Sequence, residues 1–121
     1  MKRTGDIEEF LLEICIPTFM RPDSLISSVK TILECKDERF MISVSSNKPE
    51  PRIQKTFSQD SRVAFNYFEE NQGFTKNVQW LLKNCSGKFV MLLSDEDSIS
   101  ALQLSKTLDF LENINQDVYT S

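Results

Sequence analysis

The sequence contains no histidine, and this absence narrows the chemistry open to the chain. Histidine is the commonest general base near neutral pH and a very common ligand of transition metals. Acid–base chemistry therefore has to use carboxylates or lysine, and we expect any bound metal to be held by oxygen atoms, as Mg²⁺ and Mn²⁺ are. The 3 cysteines, Cys15, Cys35 and Cys85, show no C-x-x-C spacing, which favours reduced thiols in a cytoplasmic protein over disulfides or a zinc site.

Other missing features exclude further classes of protein. No basic run exceeds two residues and the net charge is −4, so a nucleic-acid partner is not expected. The longest early apolar stretch, residues 10–19, is interrupted by Glu13 and Pro17, which argues against a membrane span or a signal peptide. Neither G-x-G-x-x-G nor G-x-x-x-x-G-K-[ST] occurs, so the chain is neither a standard dinucleotide-binding fold nor a P-loop enzyme.

The apolar pattern predicts one α/β domain spanning residues 1–121. Strands are predicted at 11–16, 40–45, 63–67 and 89–93, with the first stopped by Pro17. Helices are predicted at 23–34, 53–57, 74–85 and from 101, followed by a polar tail at 116–121, with Phe74 and Trp80 as core residues. Because strands alternate with helices, we expect a Rossmann-like three-layer α/β/α fold with a mainly parallel four-stranded sheet covered on both faces.

The most informative stretch is an apolar run that ends in carboxylates. Residues 89–93 are all apolar, and Asp95, Glu96 and Asp97 follow after one serine. Such a run predicts a strand buried on both faces. Neighbouring acids repel one another unless a cation lies among them, and open α/β sheets bind ligands beyond the carboxyl ends of their strands. The pattern predicts a metal at a ligand cleft, and acids that begin a turn and cap the next helix are an equal alternative.

Four landmarks, taken in order, resemble the family 2 glycosyltransferases of the GT-A fold. They are Ile14-Cys15-Ile16-Pro17-Thr18-Phe19-Met20-Arg21-Pro22, Ser45-Ser46-Asn47, Asn71-Gln72-Gly73 with Asn77, and Ser94-Asp95-Glu96-Asp97, the last similar to the family's Asp-x-Asp motif. The resemblance covers residues 11–100. It implies the nucleotide-sugar-binding N-terminal half of an inverting glycosyltransferase of polysaccharide biosynthesis, without the acceptor half. A fragment of a longer enzyme is the first expectation, and a natural half-domain is the alternative.

The resemblance also implies the ligands of a donor site. The expected nucleotide-binding residues are Pro17, Thr18, Arg21, Ser46, Asn47, Asn71, Gly73, Lys76 and Asp95. Asp97 is expected to bind Mn²⁺ or Mg²⁺, with Asp95 near the ribose or in the water shell of the metal. Glu96 would point to the opposite side if the pleat of the strand continued.

Simpler interpretations of three of these residues stay open. Arg21 could face solvent or pair with Asp23. Asn47 stands where the family usually has an Asp or Asn near the base, and it could instead be a turn residue with an unusual φ. Lys76, in the first turn of its helix, could reach a diphosphate oxygen or be an ordinary surface lysine.

The resemblance implies a nucleoside-diphosphate sugar as donor, with UDP-sugars the first expectation. The acceptor, a saccharide or lipid-linked saccharide, and the catalytic base would belong to the other half, so we expect this chain alone to be inactive. We expect a cytoplasmic location, with attachment to the inner face of the membrane as an alternative, and an exposed face that could support a homodimer.

Two other functions, a nucleotidyltransferase and a non-catalytic acidic binding module, are alternatives for an α/β domain of this kind. A nucleotidyltransferase would need a glycine-rich basic loop where Pro17 and Thr18 stand. A non-catalytic acidic module of the receiver type would need acids after the first strand, where Pro17 and Thr18 stand. It would also need a phosphoacceptor aspartate after the third strand, where Phe68 and Glu69 stand, so this function is disfavoured.

Overall fold

The fold is a parallel sheet with helices between its strands. The structure, a computed structural model, describes the backbone of residues 10–120 and the side chains of residues 10–116. In chain order the elements are β1 (Leu12–Thr18), α1 (Pro22–Ile32), β2 (Phe40–Ser46), α2 (Pro51–Phe57), β3 (Val63–Tyr67), α3 (Phe74–Asn84), β4 (Phe89–Leu92) and α4 (Ala101–Thr120). The strand order is β3-β2-β1-β4 and every pair is parallel, which confirms the predicted α/β architecture.

Some predicted boundaries were wrong. Helix α4 continues to Thr120, so most of the predicted polar tail is helical. Strand β1 continues past Pro17, which pairs with Ser45 of β2. The proline nitrogen points away from β2, towards β4, whose pairing with β1 ends at Cys15 and Leu92, so no ladder hydrogen bond is lost there. None of the helices in the described part of the chain is both long and apolar enough to cross a membrane.

The two faces of the sheet differ in character. One face is a conventional apolar core, in which Ile14 and Ile42 are fully buried against α1 and α4. The opposite face carries Glu13, Ser43 and Ser45, which are also buried, and α3 covers it. A side chain on this second face therefore needs a hydrogen-bond partner, because burial of an unpaired polar group is costly.

Strand β4 is not buried on both faces, as its apolar sequence predicted. It lies at an edge of the described sheet, and its side chains alternate between half-buried and exposed. Met91 packs on the apolar core, whereas Val90 and Leu92 are 39% and 48% exposed. The prediction failed because α3 packs over β1 and β2 and leaves this part of the second face open.

Glu13 fixes the loop that leads into β4. Its Oε1 atom accepts hydrogen bonds from the backbone N–H groups of Ser86 (2.8 Å) and Gly87 (2.9 Å), and its Oε2 atom accepts one from the Ser43 hydroxyl (2.6 Å). Gly87 lies so close to β1 that an added Cβ would stand 2.7 Å from the Glu13 Cβ. The start of β4, and with it the acidic segment, is thus set by contact with β1.

Arg39 ties α4 to the loop before β2. Its Nη2 atom donates hydrogen bonds to Asp37 (2.7 Å) and to Asp109 on α4 (2.9 Å). The hydrogen bond from Arg39 holds the pKa of Asp37 below its ordinary value. The pair therefore contributes to stability above the unfolded pKa of Asp37, and the contribution is lost as the pH falls through the lowered one.

We expect Gly87→Ala to destabilise the fold. The added methyl group would meet backbone and Cβ atoms of Glu13 that cannot move without shifting β1, and overpacking of this kind costs about 2 kcal/mol. The free energy of unfolding from urea titration measures the effect. Ser86→Ala, at the exposed neighbouring position, is the control and should change stability by less than about 0.5 kcal/mol. Equal effects of the two substitutions would contradict the close approach.

Candidate functional site

A cavity of about 580 Å³ opens where β1, β2 and β4 end. Its lining consists of Pro17, Thr18, Phe19, Arg21, Asn47, Asn71, Gly73, Phe74, Asn77, Leu92, Leu93, Ser94, Asp95 and Glu96. Parallel strands bring their carboxyl ends to one edge, and ligand sites of open α/β sheets lie beyond that edge. The volume lies within the range of sites for cofactors and other small ligands.

The acidic segment is joined to the end of β1 by a buried hydrogen bond. The Thr18 hydroxyl donates to Oδ2 of Asp95 over 2.8 Å, and the two residues are 4% and 8% exposed. The Ser28 hydroxyl, on α1, donates to the backbone carbonyl of Asp95 over 3.4 Å. These contacts hold one carboxylate at the mouth of the cavity in a fixed orientation.

Arg21 provides the positive charge that the acidic cluster requires. Its guanidinium forms an ion pair with Glu96, and its Nη1 atom lies 4.0 Å from Oδ1 of Asp95. The alternative pairing with Asp23 is wrong, since Asp23 pairs with Arg52. In this structure the repulsion between neighbouring acids is therefore relieved by an arginine of the loop between β1 and α1.

The expected positions of Glu96 and Asp97 need correction. Glu96 was expected to point away from Asp95, but both line the cavity. The reason is that β4 ends at Leu92 and residues 94–97 form a turn, closed by the Asp97 N–H donating to the Ser94 carbonyl over 3.1 Å, so the pleat does not continue. Asp97, the predicted metal ligand, is exposed and does not line the cavity.

The loop before α3 forms the opposite wall. Gly73 has φ +89°, a left-handed conformation that glycine adopts without strain, and its N–H donates to the Asn71 side chain over 2.8 Å. Asn47 lies against this loop, 3% exposed. Its interpretation as a turn residue of unusual φ is wrong, because Met20 is the one described residue other than glycine with a positive φ.

Two predicted nucleotide-binding residues do not line the cavity. Ser46 is buried, and its hydroxyl donates to the Lys48 carbonyl over 2.7 Å. Lys76 is exposed on α3, in agreement with the interpretation as a surface lysine. The remaining seven predicted nucleotide-binding residues are brought together as expected: Pro17, Thr18, Arg21, Asn47, Asn71, Gly73 and Asp95.

Phe19, Phe74 and Asn77 also line the cavity, although the sequence analysis gave them no role in the binding site. Phe19 and Phe74 are 40% and 68% exposed. The prediction of Phe74 as a core residue was wrong, because Phe74 is the first residue of α3 and lines the cavity. Asn77 is 1% exposed and its Nδ2 atom donates to the Ser45 carbonyl over 2.9 Å. Its Oδ1 atom is buried without a hydrogen-bond partner among residues 10–116. A polar residue on the buried face of an amphipathic helix was the signal that could have identified it.

Comparison with known proteins identifies the family of this chain. The model of the family described as "Glycosyl transferase family 2" matches residues 13–121, which include the cavity lining. The chain belongs to glycosyl transferase family 2. No sequence among the curated proteins matches it.

Two solved structures share the fold of this family 2 chain. TarS of S. aureus superposes with a TM-score of 0.72 at 18% identity, over 84% of this chain and 19% of that one. The mannosyltransferase PcManGT from Pyrobaculum calidifontis, in complex with GDP-Man and Mn²⁺, gives 0.71 at 11% identity, over 87% and 33%. The present chain therefore spans a third or less of the length of these proteins, and at such identities the likeness concerns the fold.

We expect Thr18→Val to destabilise this family 2 domain. Valine has nearly the shape of threonine but leaves Oδ2 of the buried Asp95 without its donor, at a cost of about 1–3 kcal/mol. Thr18→Ser keeps the hydroxyl and is the matched control, with an expected loss below about 1 kcal/mol. Urea titration of both variants measures the difference. A larger loss for Thr18→Ser than for Thr18→Val would mean that the methyl group, and not the hydrogen bond, stabilises this junction.

Proposed function

We propose that this chain is the donor-binding half of an inverting glycosyltransferase, and that its cavity binds the nucleoside diphosphate of a nucleotide sugar. The observation that carries the proposal is the convergence of Thr18, Arg21, Asn71 and Asp95 on one cavity at the carboxyl ends of three parallel strands. Family membership and the fold shared with a mannosyltransferase complexed with GDP-Man and Mn²⁺ support it. They also disfavour a nucleotidyltransferase and a non-catalytic module.

The cavity has the chemistry that a nucleoside diphosphate needs. Arg21, half exposed, offers a cation to phosphate oxygens, and the start of α3 beyond Gly73 presents backbone N–H groups to an anion. Phe19 and Phe74 offer aromatic surface on which a base could stack. Binding of a diphosphate would draw Arg21 away from Glu96, because both anions compete for the same guanidinium.

A divalent cation fits the residues present, although they do not form a closed site. Among the described residues no three His, Cys, Asp or Glu side chains are grouped to hold a metal. Mg²⁺ and Mn²⁺ commonly take one or two protein carboxylates and complete their shell with phosphate oxygens and water. Asp95 and Asp97 would hold the ion, which when bound neutralises the charge developing on the departing diphosphate.

Other parts of the proposal follow from length, because the chain spans a third or less of the solved structures that share its fold. The acceptor, a saccharide or lipid-linked saccharide, and the carboxylate that deprotonates its hydroxyl would be supplied by segments outside residues 1–121. We accordingly expect nucleotide binding without sugar transfer by this chain alone. Cytoplasmic location, attachment at the inner face of the membrane and homodimer formation stay predictions.

Calorimetric titration with UDP and GDP, with and without Mn²⁺, tests the proposal. We expect binding that requires the metal, and a loss of about tenfold or more in affinity for Asp95→Ala and Asp97→Ala, since interactions with charged groups contribute about 1.5–3 kcal/mol. Asp109→Ala, on α4 and away from the cavity, is the control of equal charge. If binding were unchanged both without Mn²⁺ and in the two Asp variants, the proposed donor site would be contradicted. A loss for Asp95→Ala alone would leave the metal role of Asp97 unsupported.

A further inference from the structure

We propose that Asn47 is a positioning residue: it clamps the loop of residues 71–73 against the end of β2, and so acts on a bound nucleotide through the cavity wall and not by reading the base. This inference rests on the proposed function, because it names how one wall of the donor site is held. The resemblance had implied a different role, in which Asn47, after the second strand, lies near the base.

Both functional atoms of the Asn47 side chain are engaged within the protein. Its Oδ1 atom accepts a hydrogen bond from the Gln72 N–H over 3.1 Å, and its Nδ2 atom donates to the Gly73 carbonyl over 3.1 Å. The amide orientation is fixed by these partners, since a backbone N–H can only donate and a carbonyl can only accept. The side chain is thus bonded to the backbone of two consecutive residues of the loop.

The backbone of Asn47 is itself firmly held. Its N–H donates to the Thr18 carbonyl over 3.0 Å and continues the pairing of β1 with β2 by one residue. The residue is 3% exposed. A rigid strand end thus supplies the fixed point from which the side chain reaches the loop.

The loop has few other links to the rest of the fold. Phe68 is held by β2, through its N–H to the Ser46 carbonyl over 2.9 Å, and α3 begins at Phe74. Between these points, within the described part of the chain, the hydrogen bonds that join residues 69–73 to the sheet are the two with Asn47, and the Gly73 carbonyl also accepts one from the Asn77 N–H of α3 over 3.2 Å. The contact of Asn71 with Gly73 is internal to the loop. Loss of Asn47 would therefore free a wall of the cavity.

The clamp explains why a neutral residue stands at this position. Asparagine supplies one acceptor and one donor, which the Gln72 N–H and the Gly73 carbonyl require. An ionised aspartate would keep the first hydrogen bond but place a second acceptor against the carbonyl of Gly73. The amide at position 47 is thus selected by the loop, whichever base the ligand carries.

The test uses Asn47→Ala and Asn47→Asp in the full chain, with Asn84→Ala as the control. Asn84 also forms a side-chain hydrogen bond to backbone, with the Trp80 carbonyl, but lies at the far end of α3. Affinities for UDP, GDP, CDP and ADP are measured in the presence of Mn²⁺ by calorimetry. Amide hydrogen exchange of the ligand-free chain is followed at Gln72, whose N–H is held by Asn47, and at Val78 in α3.

The clamp predicts that the affinities for all four nucleotides fall equally. Both Asn47 variants should weaken all four nucleotides by a common factor of about ten, which corresponds to the loss of one or two neutral hydrogen bonds. In Asn47→Ala, which removes the acceptor of the Gln72 N–H, exchange at Gln72 should accelerate about tenfold while Val78 is unchanged, because only the loop is released. Asn84→Ala should alter neither the affinities nor the exchange at Gln72. A general loss of stability would instead accelerate both amides.

Other results would overturn the inference. A change confined to some bases, for example retained UDP affinity and lost ADP affinity in Asn47→Asp, would make Asn47 a direct base contact. Unchanged exchange at Gln72 in Asn47→Ala would exclude the clamp. If the unaltered chain bound none of the four nucleotides, the proposed donor site would fail, and exchange at Gln72 alone would then decide whether the loop is clamped.

Discussion

The hydrogen bond between Thr18 and Asp95 is the contact on which the cavity depends. It joins the end of β1 to the turn after β4, 77 positions apart in sequence, and it orients one carboxylate in a nearly buried position. A buried carboxylate needs donors or a cation nearby, and the Thr18 hydroxyl and Arg21 supply these from the same stretch of chain. The backbone pairing of β1 with β4 sets the distance between these two strands, so the sheet controls the geometry of the charged groups.

The polar face of the sheet has a comparable role on the other side. Glu13, Ser45 and Asn77 are buried where a simple sandwich of sheet and helix would have apolar side chains, and each is hydrogen-bonded to a polar group of a neighbouring segment. Such bonds are directional, whereas apolar contacts are not. They fix where α3 and the loop before β4 lie, and hence where the two loops that border the cavity begin.

The sequence was sufficient for the architecture and for half of the residues that line the cavity, because both depend on local patterns. Alternating strands and helices imply a parallel sheet, and residues after strand ends must then meet, as Thr18, Asn47 and Asp95 do. The failures concern properties that arise only from tertiary placement. Val90 was predicted to be buried because hydropathy does not reveal an edge strand, and the side of Glu96 was misjudged because the exact end of a strand is not encoded in periodicity.

The position of β4 has a consequence for handling the protein. The backbone groups of Val90 and Leu92 point away from β1, and no other described strand lies beside them. An open edge with two exposed aliphatic side chains is a template for the addition of a foreign strand, and natural proteins cover or charge such edges. Aggregation of the chain during expression would therefore begin at this border of the sheet, and a lysine in place of Val90 is the substitution that would improve solubility.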